Sequence, residues 1–175
     1  NDRNVKIAGS HAGVSVGPDG GTHQAIEDMA IMRVIPRMTV ISPCDSIEAK
    51  KATLAAAKHK GPVYIRLARE KTPIMTTEDT PFEIGKAQVF FGSLEDKNEV
   101  AILATGALVH KALVAAKTLS DEGKKVLVVN FATVKPLDWG MLEKVADSAQ
   151  KIVTVEEHQV AGGFGSAVTE YLSEK

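Results

Sequence analysis

Val100-Ala101-Ile102-Leu103-Ala104-Thr105-Gly106 decides the fold. A strand half exposed to water alternates apolar and polar residues, whereas this run is apolar throughout until Thr105-Gly106 ends it. Such a strand is buried on both faces, which predicts a parallel sheet with helices on either side. The downstream sequence supplies them. Leu108, Ala112, Ala115, Ala116 and Leu119 recur at helical spacing and mark one face of a helix. Val126-Leu127-Val128-Val129 is a second strand, and a helix follows from about Leu137 to Ala149. Lys151 to Glu156 is a third strand, and Gly162-Gly163-Phe164-Gly165 opens a last helix carrying Val168, Tyr171 and Leu172.

The same alternation, less regular, fills the N-terminal half. Val5 to Ala8 reads as a strand leading into a long loop, with Thr22 as the N-cap of the next helix. Ile26, Met29, Ala30 and Val34 give that helix its apolar face, and Pro36 closes it. Met38 to Ile41 is a strand. Asp45 and Glu48 then form a capping-box pattern before an Ala-rich helix to about Lys58. Gly61-Pro62 breaks that helix ahead of the strand Val63-Tyr64-Ile65-Arg66-Leu67. From Glu70 to Glu83 the prolines and threonines show no period and read as a linker, followed by a β-like segment from Ala87 to Phe91. The expectation is an α/β protein of two parallel-sheet α/β/α domains. Residues 1–72 form the first, 73–92 are linker and leading strand, and 93–175 form the second. No solenoid-type repeat is present.

Composition narrows the function classes. A chain of 175 residues with net charge −1 has no general electrostatic attraction for nucleic acid or acidic lipid. No apolar run approaches the length of a membrane span, and the polar Asn1-Asp2-Arg3-Asn4 start shows no signal peptide. A single cysteine, Cys44, cannot form an internal disulfide, which fits a reducing compartment and predicts the cytoplasm. The chain starts without methionine and stops inside an amphipathic helix, which predicts a piece of a longer or multi-subunit protein.

Chemistry concentrates in Gly9-Ser10-His11-Ala12-Gly13-Val14-Ser15-Val16-Gly17-Pro18-Asp19-Gly20-Gly21-Thr22-His23-Gln24. Ligands of α/β sheets bind at the carboxyl ends of strands, where this loop sits. Its glycines allow close backbone approach to a ligand. Two histidines and an aspartate make it a polar substrate site, with His23 at a helix N-terminus where the dipole favours a neutral ring or an adjacent anion. The alternative is a long surface loop with incidental polar residues.

The pattern Ser10-His11-x-Gly13-Val14-Ser15-Val16-Gly17-x-Asp19-Gly20-x-Thr22-His23-Gln24 resembles the pyrimidine-binding domain of the transketolase family. Arg33-x-x-Pro36, Pro43-x-Asp45 and Leu67-Ala68-Arg69 continue the likeness. Ile84-Gly85-Lys86-Ala87, Phe131-x-Thr133-Val134-Lys135-Pro136-Leu137-Asp138 and Val155-Glu156-Glu157-His158-x-x-x-Gly162-Gly163-x-Gly165 resemble its C-terminal domain. The resemblance covers nearly the whole chain. It implies that the first domain is an incomplete pyrimidine-binding domain and the second a transketolase C-terminal domain, itself truncated. Four roles come with it. His11 and Arg69 would bind the phosphate end of a sugar phosphate. Asp19 would hydrogen-bond a substrate hydroxyl beside the reacting carbonyl. His23 would be catalytic, contacting the donor's C1 and C2 oxygens and helping proton movement there. The implied activity is transfer of a two-carbon ketol unit between sugar phosphates in the pentose phosphate pathway.

Two enzyme alternatives share this domain arrangement. Deoxyxylulose-phosphate synthases carry Asp-Arg where this chain has Ser10-His11, and the β subunits of 2-oxoacid dehydrogenases usually lack Asp-Gly-x-Thr-His-Gln. A rival of another class is a non-catalytic dimerisation or assembly module. Other positions read more plainly. Glu156-Glu157-His158 could be a metal or acid/base cluster but is more often structural. Gly162-Gly163-Phe164-Gly165 could hold an anion, though turn formation is commoner. His110 reads as a partly exposed helix residue, and His59 as a cation at a helix C-terminus. Cys44 reads as a buried thiol and Trp139 as packing. No metal-ligand set is read from the chain.

The family's cofactors are thiamine diphosphate and Mg²⁺. The resemblance places the cofactor-activating glutamate and the stacking aromatics upstream of Asn1, and the Mg²⁺ and diphosphate motif on a separate domain. It therefore implies partnership with an N-terminal transketolase portion or subunit in a homodimer or heterotetramer. Isothermal titration of this chain alone with thiamine diphosphate and Mg²⁺ should show weak binding or none; micromolar affinity would contradict that division of the site.

Overall fold

The computed structural model describes residues 3–174, so the Asn1-Asp2 start and Lys175 lie outside it. The described residues form two four-stranded sheets. The first runs in the order β1 (Lys6–Gly9), β3 (Val63–Arg66), β2 (Thr39–Ile41), β7 (Thr133–Lys135). The second runs in the order β4 (Gln88–Phe91), β6 (Val126–Asn130), β5 (Val100–Ala104), β8 (Ile152–Val155). Helices α1 (Asp28–Val34), α2 (Ser46–Lys58), α3 (Val109–Asp121), α4 (Trp139–Ser148) and α5 (Phe164–Ser173) connect and cover them.

The inner strands are parallel, as expected: β1 and β2 flank β3, and β6 and β8 flank β5. Both sheets nonetheless end in an antiparallel strand. β4 pairs antiparallel with β6, and β7 with β2. For β4 the cause is connection length. A parallel crossover to β5, which runs parallel to β6, needs a dozen or more residues, whereas only residues 92–99 separate the two. The fold is therefore mixed α/β rather than purely parallel.

β7 follows β6 in the chain but hydrogen-bonds into the first sheet, with Val40 opposite Lys135 and Ile41 opposite Thr133. The chain turns between the sheets at Phe131 and Ala132. There the N–H of Ser42 donates to Ala132 O at 2.7 Å and Thr105 Oγ1 donates to Phe131 O at 2.8 Å. One core cluster consequently spans both sheets. It joins Met29, Val40 and Tyr64 to Leu103, Phe131, Leu142 and Phe164, with the Phe131 and Phe164 rings 5.4 Å apart. Each such side chain contributes about 1.5–3 kcal/mol on burial. On the opposite face of β2, Ile41 packs with Ala52, Ala56, Val63 and Ile65 under α2. Helix α3 covers Ile102, Ala104, Val126 and Val128.

The capping signal before α2 is present, with its carboxylates deployed differently. Asp45 accepts the N–H of Glu48 at 2.8 Å, and its other oxygen accepts the N–H groups of Met75 and Thr76 at 2.7 Å each. One side chain thus caps α2 and pins the linker. Glu48 does not reach back to Asp45; it accepts the N–H of Cys44 at 2.7 Å and Asn130 Nδ2 at 2.8 Å. Burial disfavours the charge on Asp45, yet the hydrogen bonds it accepts outweigh burial and hold its pKa below 3.8. Glu48 shifts the other way. Its burial, aided by the Asp45 charge, prevails over its donors and lifts its pKa above 4.5. Cys44 is buried against Glu48, and burial pushes its thiol pKa up.

These shifts have opposite signs in the pH dependence of stability. Asp45 stabilises above its ordinary pKa and loses that contribution as pH falls through its lowered value. Glu48 contributes fully below 4.5 and loses the contribution as pH rises through its raised value. Urea midpoints of wild type and Glu48→Gln measured against pH should therefore shift in favour of E48Q as pH rises above about 4.5.

Candidate functional site

The loop after β1 is built by its glycines and by backbone bonds to β3. A Cβ on Gly9 would collide with the Tyr64 ring. Leu67 N–H donates to Gly9 O at 2.8 Å and Ala12 N–H to Leu67 O at 3.2 Å, so the pairing runs past the strand ends. Between them His11 has φ 63°, a left-handed conformation that histidine tolerates better than most residues. Gly13 N–H donates to Ala25 O at 2.8 Å, which closes the loop on itself. Inside that closure are two 3₁₀ turns, Val14–Asp19 and Gly21–His23, with Val16 fully buried as their anchor.

Helix α1 starts at Asp28, after Glu27, and has no side-chain cap. Thr22 is therefore not the N-cap expected from its position. It lies in the second 3₁₀ turn, where its hydroxyl sits 3.0 Å from His23 Nδ1. His23 precedes the helix by a full turn or more, so the helix dipole does not act on its ring.

Two of the four site residues expected from the sequence meet. Arg69 Nε lies 3.3 Å from Asp19 Oδ2, and Arg69 Nη1 donates to Val16 O at 3.0 Å. A longer contact, 3.5 Å, reaches Glu70. His11 and His23 are exposed on the same loop, and no hydrogen bond among the described residues joins either to that pair. None of the four lines the two cavities between the domains. One, of about 360 Å³, is bordered by Ser42, Asp45, Arg66, Lys71, Gly106 and Glu157. The other, of about 590 Å³, is bordered by Val14, Ser15, His110, Lys111, Glu157 and His158. The expected site residues form an outward surface, not a pocket.

Beneath that surface is a buried polar network the sequence reading missed. Arg66, at the carboxyl end of β3, pairs with Asp28 at 2.8 Å; their side chains are 7% and 14% exposed. Asp28 also accepts the Tyr64 hydroxyl at 2.8 Å, and burial together with Asp28 raises the Tyr64 pKa. Arg66 Nη2 further donates to Ala25 O at 3.3 Å and to Glu157 O at 2.8 Å. The available signal was a cation inside an apolar strand run, which needs a partner.

Glu156, Glu157 and His158 diverge. Glu156 accepts the N–H groups of Phe164 and Gly165 at 2.6 and 2.7 Å, so the anion at the start of α5 is the protein's own carboxylate. Glu157 accepts both the N–H and the hydroxyl of Ser15, across the domain boundary. His158 Nε2 accepts Ala30 N–H at 3.4 Å. Among the described residues no group of three His, Cys, Asp or Glu side chains is placed to hold a metal ion. No helix among the described residues is long and apolar enough to cross a membrane.

The family models for the transketolase pyrimidine-binding domain and the transketolase C-terminal domain match residues 1–75 and 92–175. The chain belongs to the transketolase family. A Methanocaldococcus jannaschii relative named for a transketolase C-terminal section is 43% identical over 172 residues, 97% of this chain and 52% of its own length. A 6-deoxy-6-sulfo-D-fructose transketolase subunit from Clostridium sp. (strain MSTE9) is 42% identical over 171 residues, 98% of this chain and 52% of its own length. Among solved structures, a split gene transketolase described as an inactive beta4 tetramer superposes with TM-score 0.88 at 43% identity, covering 99% of this chain and 55% of that one. This chain thus spans about half the length of these relatives.

The buried and exposed ion pairs differ in consequence. Asp28→Asn leaves the Arg66 guanidinium buried without its counter-charge and should cost about 3–5 kcal/mol in urea unfolding. Asp19→Asn at the exposed pair should change stability by about 1 kcal/mol or less.

Proposed function

We propose that this chain is the substrate-facing portion of a transketolase, active together with a polypeptide region that holds thiamine diphosphate and Mg²⁺. The observation that carries this reading is the meeting of Asp19 and Arg69, fifty residues apart, on the loop that bears His11 and His23. The likeness to a split gene transketolase supports the division of labour. The cofactor, when bound, supplies the carbon nucleophile.

The chain's own residues act on the substrate. The Arg69–Asp19 pair is about one-third exposed, and such pairs are worth about 0–1 kcal/mol. A phosphate displaces Asp19 from the guanidinium at little cost, because a doubly charged anion makes the stronger charge-assisted contact. The displaced carboxylate is then free to accept a substrate hydroxyl. His11 adds a second contact to the phosphate. The exposed His23 ring, with Nδ1 near the Thr22 hydroxyl, offers its other nitrogen to the oxygens beside the carbonyl and exchanges a proton with them. A sulfonate could take the phosphate's place on Arg69, as the name of the Clostridium relative's substrate suggests, so the terminal anion is part of the test. We assign this enzyme to cytoplasmic sugar-phosphate interconversion in the pentose phosphate pathway, as a homodimer or heterotetramer.

The test is reconstitution of the full-length protein with its cofactor-holding partner region, Mg²⁺ and thiamine diphosphate. Ketol transfer from xylulose 5-phosphate to an aldose phosphate should appear, and His23→Ala should lower kcat about 100-fold or more. A mixture inert on phosphorylated and sulfonated ketoses but active on 2-oxoacids would refute the reading.

A further inference from the structure

Glu157 belongs to the second domain by sequence, yet its carboxylate ends on the loop that carries the substrate-side residues. Oε1 accepts the backbone N–H of Ser15, and Oε2 accepts the Ser15 hydroxyl at 3.1 Å. Two bonds to one residue fix orientation as well as position. Glu157 is itself held firmly. Its carbonyl takes the Arg66 guanidinium at 2.8 Å, and the following residues are tied to the first domain through Gln159 N–H to Ile26 O at 2.9 Å. Gly13 makes the approach possible. A Cβ there would collide with the Glu157 carboxyl, and φ 90° is a conformation glycine adopts freely.

Past Ser15 the loop has few other restraints. Val16 is buried and its carbonyl accepts Arg69, after which Gly17, Gly20 and Gly21 face open space. The position of Asp19 therefore depends on the Ser15 clamp, the Val16 anchor and Arg69.

We propose that Glu157 is a positioning residue that sets the loop conformation presenting Asp19 and Arg69 to substrate. The second domain would then tune substrate binding as well as assembly. This inference rests on the reading of the loop as a substrate surface, and the experiment separates the two. Glu157→Gln keeps the geometry, since its carbonyl accepts the Ser15 N–H and its amide donates to the Ser15 hydroxyl. Glu157→Ala removes both bonds, and Glu157→Asp is a methylene short. Ser15→Ala removes the hydroxyl bond alone and covers the case in which Glu157→Ala fails to fold.

Hydrogen exchange read by mass spectrometry on the chain needs no partner or substrate. Glu157→Ala and Glu157→Asp should speed exchange in residues 13–19 by about 10-fold, as expected for losing charge-assisted hydrogen bonds, while β5 and β6 stay protected. Ser15→Ala should give a smaller rise in the same segment, and Glu157→Gln, which keeps both bonds but loses the charge, should lie well below Glu157→Ala. In the reconstituted enzyme, Glu157→Ala should raise KM for the phosphorylated ketose about 10-fold with kcat little changed, and Glu157→Gln should restore it. Unchanged exchange in residues 13–19, a faster loop with unchanged KM, or a Gln variant as impaired as Ala would each overturn the proposal. Faster exchange in an enzyme whose wild type ignores sugar phosphates would instead uphold the clamp and refute the substrate reading.

Discussion

The arrangement depends on a buried guanidinium. Arg66 ends β3 at the seam between the two sheets with its side chain only 7% exposed, so the surrounding chain must serve most of its donors. Three separate segments answer. Asp28 brings the first turn of α1, Ala25 brings the returning end of the loop, and Glu157 brings the segment after β8. A buried ion pair roughly breaks even against its desolvation, so its value here is less in net stability than in specifying one arrangement. In this packing one guanidinium meets all three.

The seam is reinforced by an exchange of helix-end contacts. Arg33 lies in the last turn of α1, where a cation commonly serves its own helix. It reaches instead to the carbonyls of Gly162 and Gly163 at 2.7 and 2.9 Å, in the turn before α5. The terminal carbonyls of α1 are served from the other side: Lys135 on β7 donates to Arg33 O and Ile35 O at 2.6 and 2.8 Å. Each domain thus donates to carbonyls at a helix end of the other, Gly163 O also accepting the Ala167 N–H at 3.2 Å. With β7 paired into the first sheet and the Phe131 ring tilted against Phe164, the halves share a core and cannot separate without exposing it.

The sequence revealed local order well and long-range pairing poorly. Val100 to Ala104, Val126 to Val129 and the Ala-rich helix after Asp45 follow from periodicity and capping alone, and they appear within a residue or two of the expected bounds. β7 was not legible, because Thr133-Val134-Lys135 is too short to show a period and its partner lies almost a hundred residues upstream. The start of α1 was misread for a related reason. Thr22 has the chemistry of a cap, but the Ala12–Ala25 bridge keeps the chain extended past it. At the candidate site, motif spacing supplied the residue types while the fold supplied their pairings. Nothing local connects Glu157 to Ser15; only Gly13, a glycine where a side chain would block the contact, marks the place in retrospect.

The strengths of these interactions are graded in a way that suits a substrate-binding surface. Below the loop, Arg66 and Asp28 are nearly inaccessible, and breaking them is costly. At its middle, Glu157 grips Ser15 with charge-assisted bonds in a half-buried setting. At its outer edge, Arg69 and Asp19 hold each other weakly, with a third of each side chain in solvent. A loop rigid throughout could not exchange its internal carboxylate for a substrate anion, and a loop loose throughout would lose affinity to ordering entropy. Firm support under a weak, exchangeable contact avoids both penalties. Arg69 stays oriented by Val16 O while its partner Asp19 is replaceable. On the proposed reading, that gradient suits a surface that takes up and releases an anionic substrate.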